Sequence, residues 1–354
     1  MPVKVVAAVE GGGTSFVCVV VELRGTTPAI IQRQEVSSED PTACLAACAA
    51  FFRQHKPEGG YNALGVATFG PVGLPEHTRW YGHILPTSPK AAWRGVDVLK
   101  PLREACQGDL YPLRVRIETD VNAPAWAEYL ESGERSTAYV TVGTGVGVGL
   151  VVNGQTVHGR MHPEGGHVAV QPLDDWGGYS WGAKAPYRGQ NTVEGLASSV
   201  ALAERAGVSR EELKDLPDSH EIWDHAANAL ANLCVTLVLT LSIETIVLGG
   251  GLMQRRVLLP KIQARTAELM NSYVELPVDM NDLIRTSRHG ADAGLMGAII
   301  LAQSAADASD NTDDGTVKEM KRTAFGHGLW HGMIVGAVGT ALVAKLLWTR
   351  SHRR

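Results

Sequence analysis

Two glycine-rich turns, each directly after an apolar run, constrain the fold of this chain more than any other feature. They consist of Glu10-Gly11-Gly12-Gly13-Thr14 and Gly143-Thr144-Gly145-Val146-Gly147. β-rich runs flank both turns, at Lys4–Glu10 and Ser15–Glu22 and at Thr137–Val142 and Val148–Val152, so each turn is predicted to close a β-hairpin. One glycine hairpin would be an ordinary turn. Two with the same layout indicate a repeated functional element.

Consecutive glycines let backbone N–H groups approach a polyanion because no Cβ stands in the way. Neither turn continues into the Gly-Lys-Ser/Thr of a Walker loop, and neither opens a helix as a dinucleotide fingerprint does. A third glycine run follows the predicted strand Thr245–Leu248 and is expected to hold a nucleoside. The predicted ATP-binding residues are therefore Gly11, Gly12, Gly13, Thr14, Gly143, Thr144, Gly145, Gly147, Gly249, Gly250 and Gly251.

An acidic residue lies in sequence between the two turns. Asp120 closely follows the predicted strand Arg114–Glu118, and a carboxylate at that position suits a base that takes a proton from an alcohol as the γ-phosphoryl group arrives. Asp120 is therefore predicted as the general base, with Mg²⁺ on the nucleotide phosphates. The alternative is that Asp120 only caps the predicted helix Asn122–Glu131.

Composition excludes several function classes. The 354 residues carry 32 Lys and Arg against 37 Asp and Glu, so no basic excess favours a nucleic-acid partner. The N-terminus lacks a secretory signal pattern. The cysteines are odd in number, lie in apolar stretches and form no C-x-x-C motif, which predicts reduced, buried thiols in the cytosol; they are Cys18, Cys44, Cys48, Cys106 and Cys234.

The order of the predicted elements indicates an α/β fold with two lobes around a cleft. We predict an N-terminal lobe at 1–122, a C-terminal lobe at 123–303 whose last helix returns to the first lobe, a polar linker at 304–323 and a tail at 324–354. Further predicted elements are the helices Pro41–Lys56, Asp97–Cys106, His225–Ser242 and Ala291–Ala302, the strand Ala63–Thr68, and a long irregular segment at His158–Asn191.

The tail is predicted to cross a membrane. Leu329–Trp348 is a run of twenty residues, and as a helix it would cover about 30 Å, the thickness of a hydrocarbon core. Lys345 can snorkel, and Trp330 stands where an interfacial anchor belongs. We therefore expect a tail anchor with the domain in the cytosol, on the mitochondrial outer membrane if the organism is a eukaryote. The alternative is a surface helix packed on its own domain.

From Val3 to Ala302 the chain resembles the ROK sugar kinases of the actin-like, ribonuclease-H-like ATPase superfamily. The resemblance rests on both glycine turns and on Gly70-Pro71-Val72, Thr119-Asp120-Val121-Asn122-Ala123, His162-Pro163-Glu164-Gly165-Gly166-His167, Glu194-Gly195-Leu196-Ala197-Ser198 and Leu248-Gly249-Gly250-Gly251-Leu252-Met253. It implies two actin-like lobes around an active-site cleft, use of ATP and Mg²⁺, and a possible homodimer.

Within that family the chain is most similar to bacterial-type fructokinases. Two stretches carry this likeness, Pro86–Trp93 and Met270–Tyr273. The family's glucose kinases usually have Asn at the positions of Lys90 and Thr119 in this chain. The resemblance implies phosphorylation of the 6-hydroxyl of fructose with Asp120 as the base. The substrate-binding residues that it implies are Gly70, Lys90, Thr119, Asn122, Glu164 and His167, of which the last two would orient sugar hydroxyls.

The chain departs from the family at the zinc site, which in fructokinases is formed by a His of this motif and a later Cys, His and Cys. The corresponding run, Lys184–Asn191, has Ala185, Arg188 and Asn191 at those positions, so only His167 remains. One ligand does not make a structural zinc site, and no zinc is expected. The loop is instead expected to be stabilised by burial of aromatic residues, which alternatively stack on sugar; they are Trp176, Tyr179, Trp181 and Tyr187.

Three other functions fit the same residues. Pocket details that motifs do not fix could select another hexose or an N-acylhexosamine. A non-catalytic sugar sensor is a second alternative, because the family includes repressors, although those carry a DNA-binding module before the first phosphate strand. A membrane-tethered scaffold is the third, supported by the lost zinc ligands and the apolar tail, whereas retention of Asp120 and of the glycine turns favours an active kinase.

Overall fold

The computed structural model describes residues 3–24, 27–109, 112–173, 191–273 and 279–308. The predicted membrane tail, most of the linker and the aromatic residues of the 176–187 stretch lie outside these ranges.

The first sheet contains five strands. They are β1 (Lys4–Gly11), β2 (Ser15–Arg24), β3 (Thr27–Ser37), β4 (Ala63–Thr68) and β5 (Arg114–Thr119), in the spatial order β3-β2-β1-β4-β5. The β1–β2 and β2–β3 pairs are antiparallel, whereas β4 pairs parallel to β1 and β5 pairs parallel to β4. The carboxyl ends of β1, β4 and β5 therefore meet at one edge, where the chemistry of an open α/β sheet is expected.

The second sheet repeats this arrangement. Its strands are β6 (Thr137–Val142), β7 (Val146–Val152), β8 (Gln155–Thr156), β9 (Thr245–Gly249) and β10 (Ile284–Thr286), in the order β10-β9-β6-β7-β8. The β6–β7 and β7–β8 pairs are antiparallel, and β6–β9 and β9–β10 are parallel. The prediction of two related α/β lobes is confirmed at the level of the sheets, and both glycine turns close hairpins as predicted.

Helices cover the sheets. In the described chain they are α1 (Pro41–Gln54), α2 (Leu99–Cys106), α3 (Asn122–Ser132), α4 (Val193–Ala197), α5 (Ser199–Ala206), α6 (Ile222–Leu241), α7 (Leu258–Met270), α8 (Met280–Leu283) and α9 (Ala293–Asp307). Local sequence explains their ends. Asp40 accepts hydrogen bonds from the first N–H groups of α1, with Pro41 in the first turn. Gly207 ends α5 in the left-handed conformation.

Two helices connect the lobes. Helix α9 packs on the first sheet, where Leu295 and Ala298 share a buried cluster with Val6 and Ala8 of β1. It also crosses α3 closely, because a Cβ added at Gly297 would lie 2.5 Å from the carbonyl carbon of Ala123. Helix α3 in turn contacts β6 and β7 of the second sheet. The crossing of α3 and α9 therefore holds the two sheets together.

Helix α6 is the one described helix that is long and apolar enough to pass as a membrane span by length and composition. Its apolar window is 72% buried inside the protein, and it carries residues of the large core under the second sheet, among them Leu230 and Leu233. This burial is typical of a core helix. The five cysteines are also buried, as free thiols.

Candidate active site

The first glycine turn joins β1 to β2. The N–H of Gly12 donates to the carbonyl of Ser15 at 2.9 Å, and Ser38 braces the tip, its N–H bound to the carbonyl of Thr14 and its hydroxyl to that of Gly13, each at 3.1 Å. A Cβ added at Gly13 would meet nothing within 4 Å. Ser38 therefore holds the carbonyl groups at the tip of this turn, while the space around Gly13 is open, as a phosphate site requires.

The second glycine turn joins β6 to β7 and is held by the helices that follow it. The N–H of Ser199 donates to the carbonyl of Gly143 at 2.7 Å, and Oε2 of Glu194 accepts from the N–H of Val146 at 3.0 Å. A Cβ at Gly145 would lie 2.6 Å from that same oxygen. Glu194 is a residue to which the sequence assigned no site role, although it lies in one of the quoted motifs.

An exposed cation also contacts the second turn. Nη2 of Arg210 donates to Oγ1 of Thr144 at 2.9 Å. The third glycine run lies beside this turn at the end of β9: Gly250 has φ of +88°, and a Cβ there would lie 2.5 Å from the carbonyl oxygen of Val142. A Cβ at Gly251 would instead meet nothing within 4 Å, so this position is open.

Asp120 directly follows β5, as predicted. Its N–H donates to the carbonyl of Thr68 at the end of the neighbouring strand, at 2.8 Å. The oxygen that accepts from the first N–H of α3, that of Asn122, is Oγ1 of Thr119 at 2.9 Å, so the capping interpretation of Asp120 is wrong. Burial raises the pKa of Asp120 to about 6, and the positive charge of Lys90 opposes this rise.

Acidic side chains from both lobes surround this position. Burial raises the pKa of Glu10, at the end of β1, to about 7, and the charges of Asp120 and Asp292 add to the rise. Burial likewise raises the pKa of Glu164 to about 7, with further contributions from Glu194 and Asp120. Glu10 and Asp120 lie where β1 and β5 end at the same edge of the first sheet, and the charge of Asp120 acts on both Glu10 and Glu164. Carboxyl groups of the two lobes therefore influence one another.

Glu164 and His167 lie together, as the sequence predicts for a pair that brackets sugar hydroxyls. Oε2 of Glu164 is 3.6 Å from Nε2 of His167, and burial lowers the pKa of His167 to about 4, so the imidazole is neutral at physiological pH. A Cβ at Gly166 would lie 1.8 Å from the carbonyl oxygen of Val146. The segment His162–His167 is therefore packed directly on the second glycine turn.

His162 links this segment to the first lobe. Its Nε2 accepts from the N–H of Val72 at 3.2 Å, so Nδ1 carries the proton and faces the carbonyl oxygen of Pro163 at 3.3 Å. A Cβ at Gly70 would lie 3.0 Å from the imidazole ring. Sequence reasoning quoted His162 within a motif but gave it no role. The signal available was a second histidine beside the pair that was assigned to the sugar.

Comparison with known proteins identifies the family. Residues 6–305 match the sequence profile of the ROK family. The chain belongs to the ROK family. It is 34% identical to a fructokinase of Zymomonas mobilis over 85% of this chain and 97% of that protein, and 33% identical to an N-acetylmannosamine kinase of Vibrio vulnificus over 42% of this chain and 54% of that one.

The fold agrees with this assignment. A ROK hexokinase of Thermus thermophilus superposes with a TM-score of 0.64 at 24% identity, covering 85% of this chain and 99% of that structure. With the family and the duplicated sheets, this ROK protein is a hexose kinase, an ATP-dependent phosphotransferase.

Two predicted sugar ligands of this ROK kinase make internal hydrogen bonds. Asn122 is fully buried; its Nδ2 donates to Oε2 of Glu118 at 3.2 Å, and its Oδ1 accepts from the N–H of Leu150 at 3.0 Å. The hydroxyl of Thr119 is committed to the start of α3. Both residues therefore fix the strand-to-helix turn around Asp120, and their contact with sugar stays a prediction.

Lys90 and Gly70 are the other two first-lobe residues predicted for the sugar. Lys90 contacts the first glycine turn, and Gly70 lies against His162. The ammonium of Lys90 donates to the carbonyl of Gly13 and lies 4.1 Å from the centre of the Phe69 ring. Burial lowers the pKa of Lys90, and the charge of Asp120 raises it. The cation therefore lies close to both the first phosphate turn and the predicted base.

Within the described ranges no group of three or more His, Cys, Asp and Glu side chains is arranged to hold a metal ion. Residues 184–190, the run that would supply most of the zinc ligands, lie outside those ranges, so the prediction that zinc is absent rests on their identities. Ala185 has no donor atom, and Arg188 stays protonated. These residues do not fit a zinc site.

Proposed function

We propose that this ROK kinase transfers the γ-phosphoryl group of ATP to the 6-hydroxyl of D-fructose, with Asp120 as the general base. The observation that carries the proposal is the position of Asp120 directly after β5, between the two glycine hairpins in sequence. Its charge shifts the pKa values of Glu10, Lys90 and Glu164. The similarity over 85% of the chain to a fructokinase supports the choice of sugar.

In the proposed reaction Asp120 is ionised at neutral pH because its pKa is about 6. It takes the proton of the 6-hydroxyl while the sugar oxygen bonds to the γ-phosphorus. The bond from that phosphorus to the β,γ-bridging oxygen breaks, and ADP leaves. Mg²⁺ enters with ATP as part of the substrate and neutralises phosphate charge.

The second lobe orients both substrates. Glu164, when ionised, accepts hydrogen bonds from sugar hydroxyls, and neutral His167 supplies one donor and one acceptor beside it. The glycine turn at 143–147 and the run at 249–251 receive the nucleotide, with Arg210 at the edge of the turn. Closure of the lobes around Asp120 would exclude water from the γ-phosphoryl group.

A second candidate is an N-acylhexosamine kinase, favoured by the match to the N-acetylmannosamine kinase. Both candidates use the same base and differ in the pocket around the sugar. A panel of sugars separates them from each other and from the sensor and scaffold alternatives.

The test uses the full-length protein, ATP and Mg²⁺, with fructose, mannose, glucose, N-acetylmannosamine and N-acetylglucosamine, measured by release of ADP with and without a zinc chelator. We expect the highest kcat/KM on fructose, unchanged by the chelator. The product should be consumed by phosphoglucose isomerase, which accepts fructose 6-phosphate and not the 1-phosphate. A preference for an N-acylated sugar would select the second candidate. Absence of turnover on every sugar would contradict an active kinase.

Anchoring of the tail is a separate proposal that rests on sequence. The apolar run Leu329–Trp348 would hold the chain on a membrane facing the cytosol, with the mitochondrial outer membrane favoured in a eukaryote. The full-length chain should stay with membranes during alkaline carbonate extraction, and a variant with three arginines in the middle of the run should be released. Equal release of both would reject the anchor. Sedimentation of the detergent-solubilised chain would test the predicted homodimer.

A further inference from the structure

Lys90 is held in a defined place by its surroundings. It directly precedes the short 3₁₀ turn Ala91–Trp93, and its N–H lies 3.3 Å from the hydroxyl of Ser88. Trp93 is buried, stacks on Phe16 with ring centres 5.0 Å apart, and donates from its indole nitrogen to the carbonyl of Ser38 at 2.8 Å. The N–H of Trp93 also donates to the carbonyl of Lys90 at 3.0 Å, so Trp93 joins the backbone at Lys90 to Ser38, the residue that braces the first glycine turn.

The side chain of Lys90 points to that turn. Its ammonium donates to the carbonyl of Gly13, which also accepts from the hydroxyl of Ser38. The face of the Phe69 ring lies 4.1 Å from the same nitrogen, and a cation over an aromatic ring is held by the negative potential of the ring face. Two independent contacts thus aim one positive charge at the tip of the turn.

The surroundings of the tip leave room for an anion. A Cβ at Gly13 would meet no atom within 4 Å. An ammonium has three N–H donors, and the carbonyl of Gly13 takes one of them. Phe69, whose ring lies against the ammonium, directly follows Thr68, whose carbonyl accepts from the N–H of Asp120 at 2.8 Å. The charge of Asp120 also acts on Lys90, so the cation contacts the first turn on the side near the predicted base.

We propose that Lys90 is a catalytic residue that binds the γ-phosphoryl group during transfer, rather than a ligand of the sugar. As the sugar oxygen bonds to phosphorus and the bond to the bridging oxygen breaks, negative charge on the transferred oxygens is balanced by the ammonium, which keeps its proton. The hydroxyl proton goes to Asp120. This inference rests on the proposed kinase reaction and adds a charge-stabilising group to it.

The test compares Lys90→Met, which removes the charge at similar length, with Lys90→Arg, which retains it. Lys100→Met is the matched control, because Lys100 is an exposed lysine on α2 of the same lobe. The readouts are kcat and KM with the sugar that the wild type turns over, the calorimetric Kd of that sugar without nucleotide, and the affinity for ADP with and without aluminium fluoride, a mimic of the transferring phosphoryl group.

We expect Lys90→Met to lower kcat on the order of 100-fold and to leave the sugar Kd within about twofold. The tightening of ADP binding by aluminium fluoride should be lost in this variant. Lys90→Arg should recover part of both effects, and Lys100→Met should match the wild type. Lys90→Gln replaces the Met variant if the latter does not fold.

A wild-type kcat in Lys90→Met would overturn the inference. If the sugar Kd of that variant is weakened at the same time, Lys90 is the sugar ligand that the family resemblance implies. Failure of the proposed function is a different result, because it would appear first in the wild type, as absence of turnover or as activity that survives loss of Asp120.

Discussion

The two glycine turns occupy the same position in two copies of one sheet, yet their supports differ. The first turn is braced on its carbonyl side by Ser38 and Lys90, close to Asp120. The second is braced by the carboxylate of Glu194 and the N–H of Ser199, with Arg210 at its exposed side. The two turns therefore differ in what holds them: the first is contacted by a cation on which the charge of the proposed base acts, and the second by a carboxylate.

This difference assigns different tasks to the turns. Residues around the first turn should affect the chemical step and therefore kcat, because interactions made only in the transition state change kcat. Residues around the second turn should affect retention of the nucleotide and therefore the KM for ATP.

Asp120→Asn should lower kcat at least 1,000-fold, because the amide cannot accept the hydroxyl proton and general-base catalysis accounts for roughly 100- to 10,000-fold. The sugar Kd, measured by calorimetry, should change little, since the hydroxyl-orienting groups remain. Asn is close in shape to Asp, so the folded structure is not expected to change. Circular dichroism serves as the control. Turnover near the wild-type rate would reject Asp120 as the base and remove the distinction between the turns.

Acidic pH should affect the proposed base and the predicted sugar-orienting carboxylate strongly. Burial places the pKa of Asp120 at about 6, above its ordinary value of 3.8, so the base is lost as the pH falls through 6. Glu164, with a pKa of about 7, loses its charge earlier and weakens sugar binding. We expect kcat/KM for the sugar to decline below about pH 7 and to fall more than tenfold per unit below about pH 6. A flat profile down to pH 5 would contradict both assignments.

The positions of the two glycine turns and of Asp120 could be predicted from local sequence, for physical reasons. Glycine runs between β-rich stretches specify hairpins through backbone conformation alone, so both turns and the strand ends beside them follow from sequence. Strand Ala63–Thr68 was predicted with its observed ends, and all six of its residues are buried. Asp120 at the end of β5 follows from the same reasoning.

The unpredicted parts depend on tertiary contacts. Strand β3 is an edge strand, exposed along most of its length, so it has no apolar alternation to read, and its pairing with β2 defines it. Helices α4 and α5 are short and begin at Thr192 and Ser198, whose hydroxyls cap them. Glu194 became a support of the second turn only because α4 packs beneath it, and His162 reaches Val72 across 90 residues.

Gly145→Ala should affect the second turn. The added Cβ would lie 2.6 Å from Oε2 of Glu194, and displacement of that carboxylate would leave the N–H of Val146 without its acceptor. We expect the KM for ATP to rise about tenfold, the cost of one such contact, with kcat almost unchanged. Gly159→Ala is the control, since a Cβ there meets nothing within 4 Å. An equal loss of kcat would show that the second turn also acts in the chemical step.

His162→Ala should affect the sugar rather than the nucleotide. Removal of the imidazole leaves the buried N–H of Val72 unpaired and loosens the contact between the first-lobe loop and the segment that carries Glu164. We expect the sugar KM to rise roughly tenfold with the KM for ATP unchanged. His162→Asn can offer an oxygen to the same N–H and should recover part of the loss. Equal effects on both substrates would indicate general destabilisation instead.

The smallest expected effect is on stability, and its sign runs opposite to that on activity. The raised pKa of Asp120 means that the folded state disfavours the ionised carboxyl, a cost present above about pH 6 and lost as the pH falls below 3.8. At about 1.4 kcal/mol per pKa unit the upper limit is about 3 kcal/mol, reduced because the side chain is partly exposed. Asp120→Asn should therefore raise Tm by a few degrees at pH 8, and the gain should shrink towards pH 4. Catalytic groups commonly lower the stability of the folded state in this way. A lower Tm of Asp120→Asn at pH 8 would mean that Asp120 stabilises the fold.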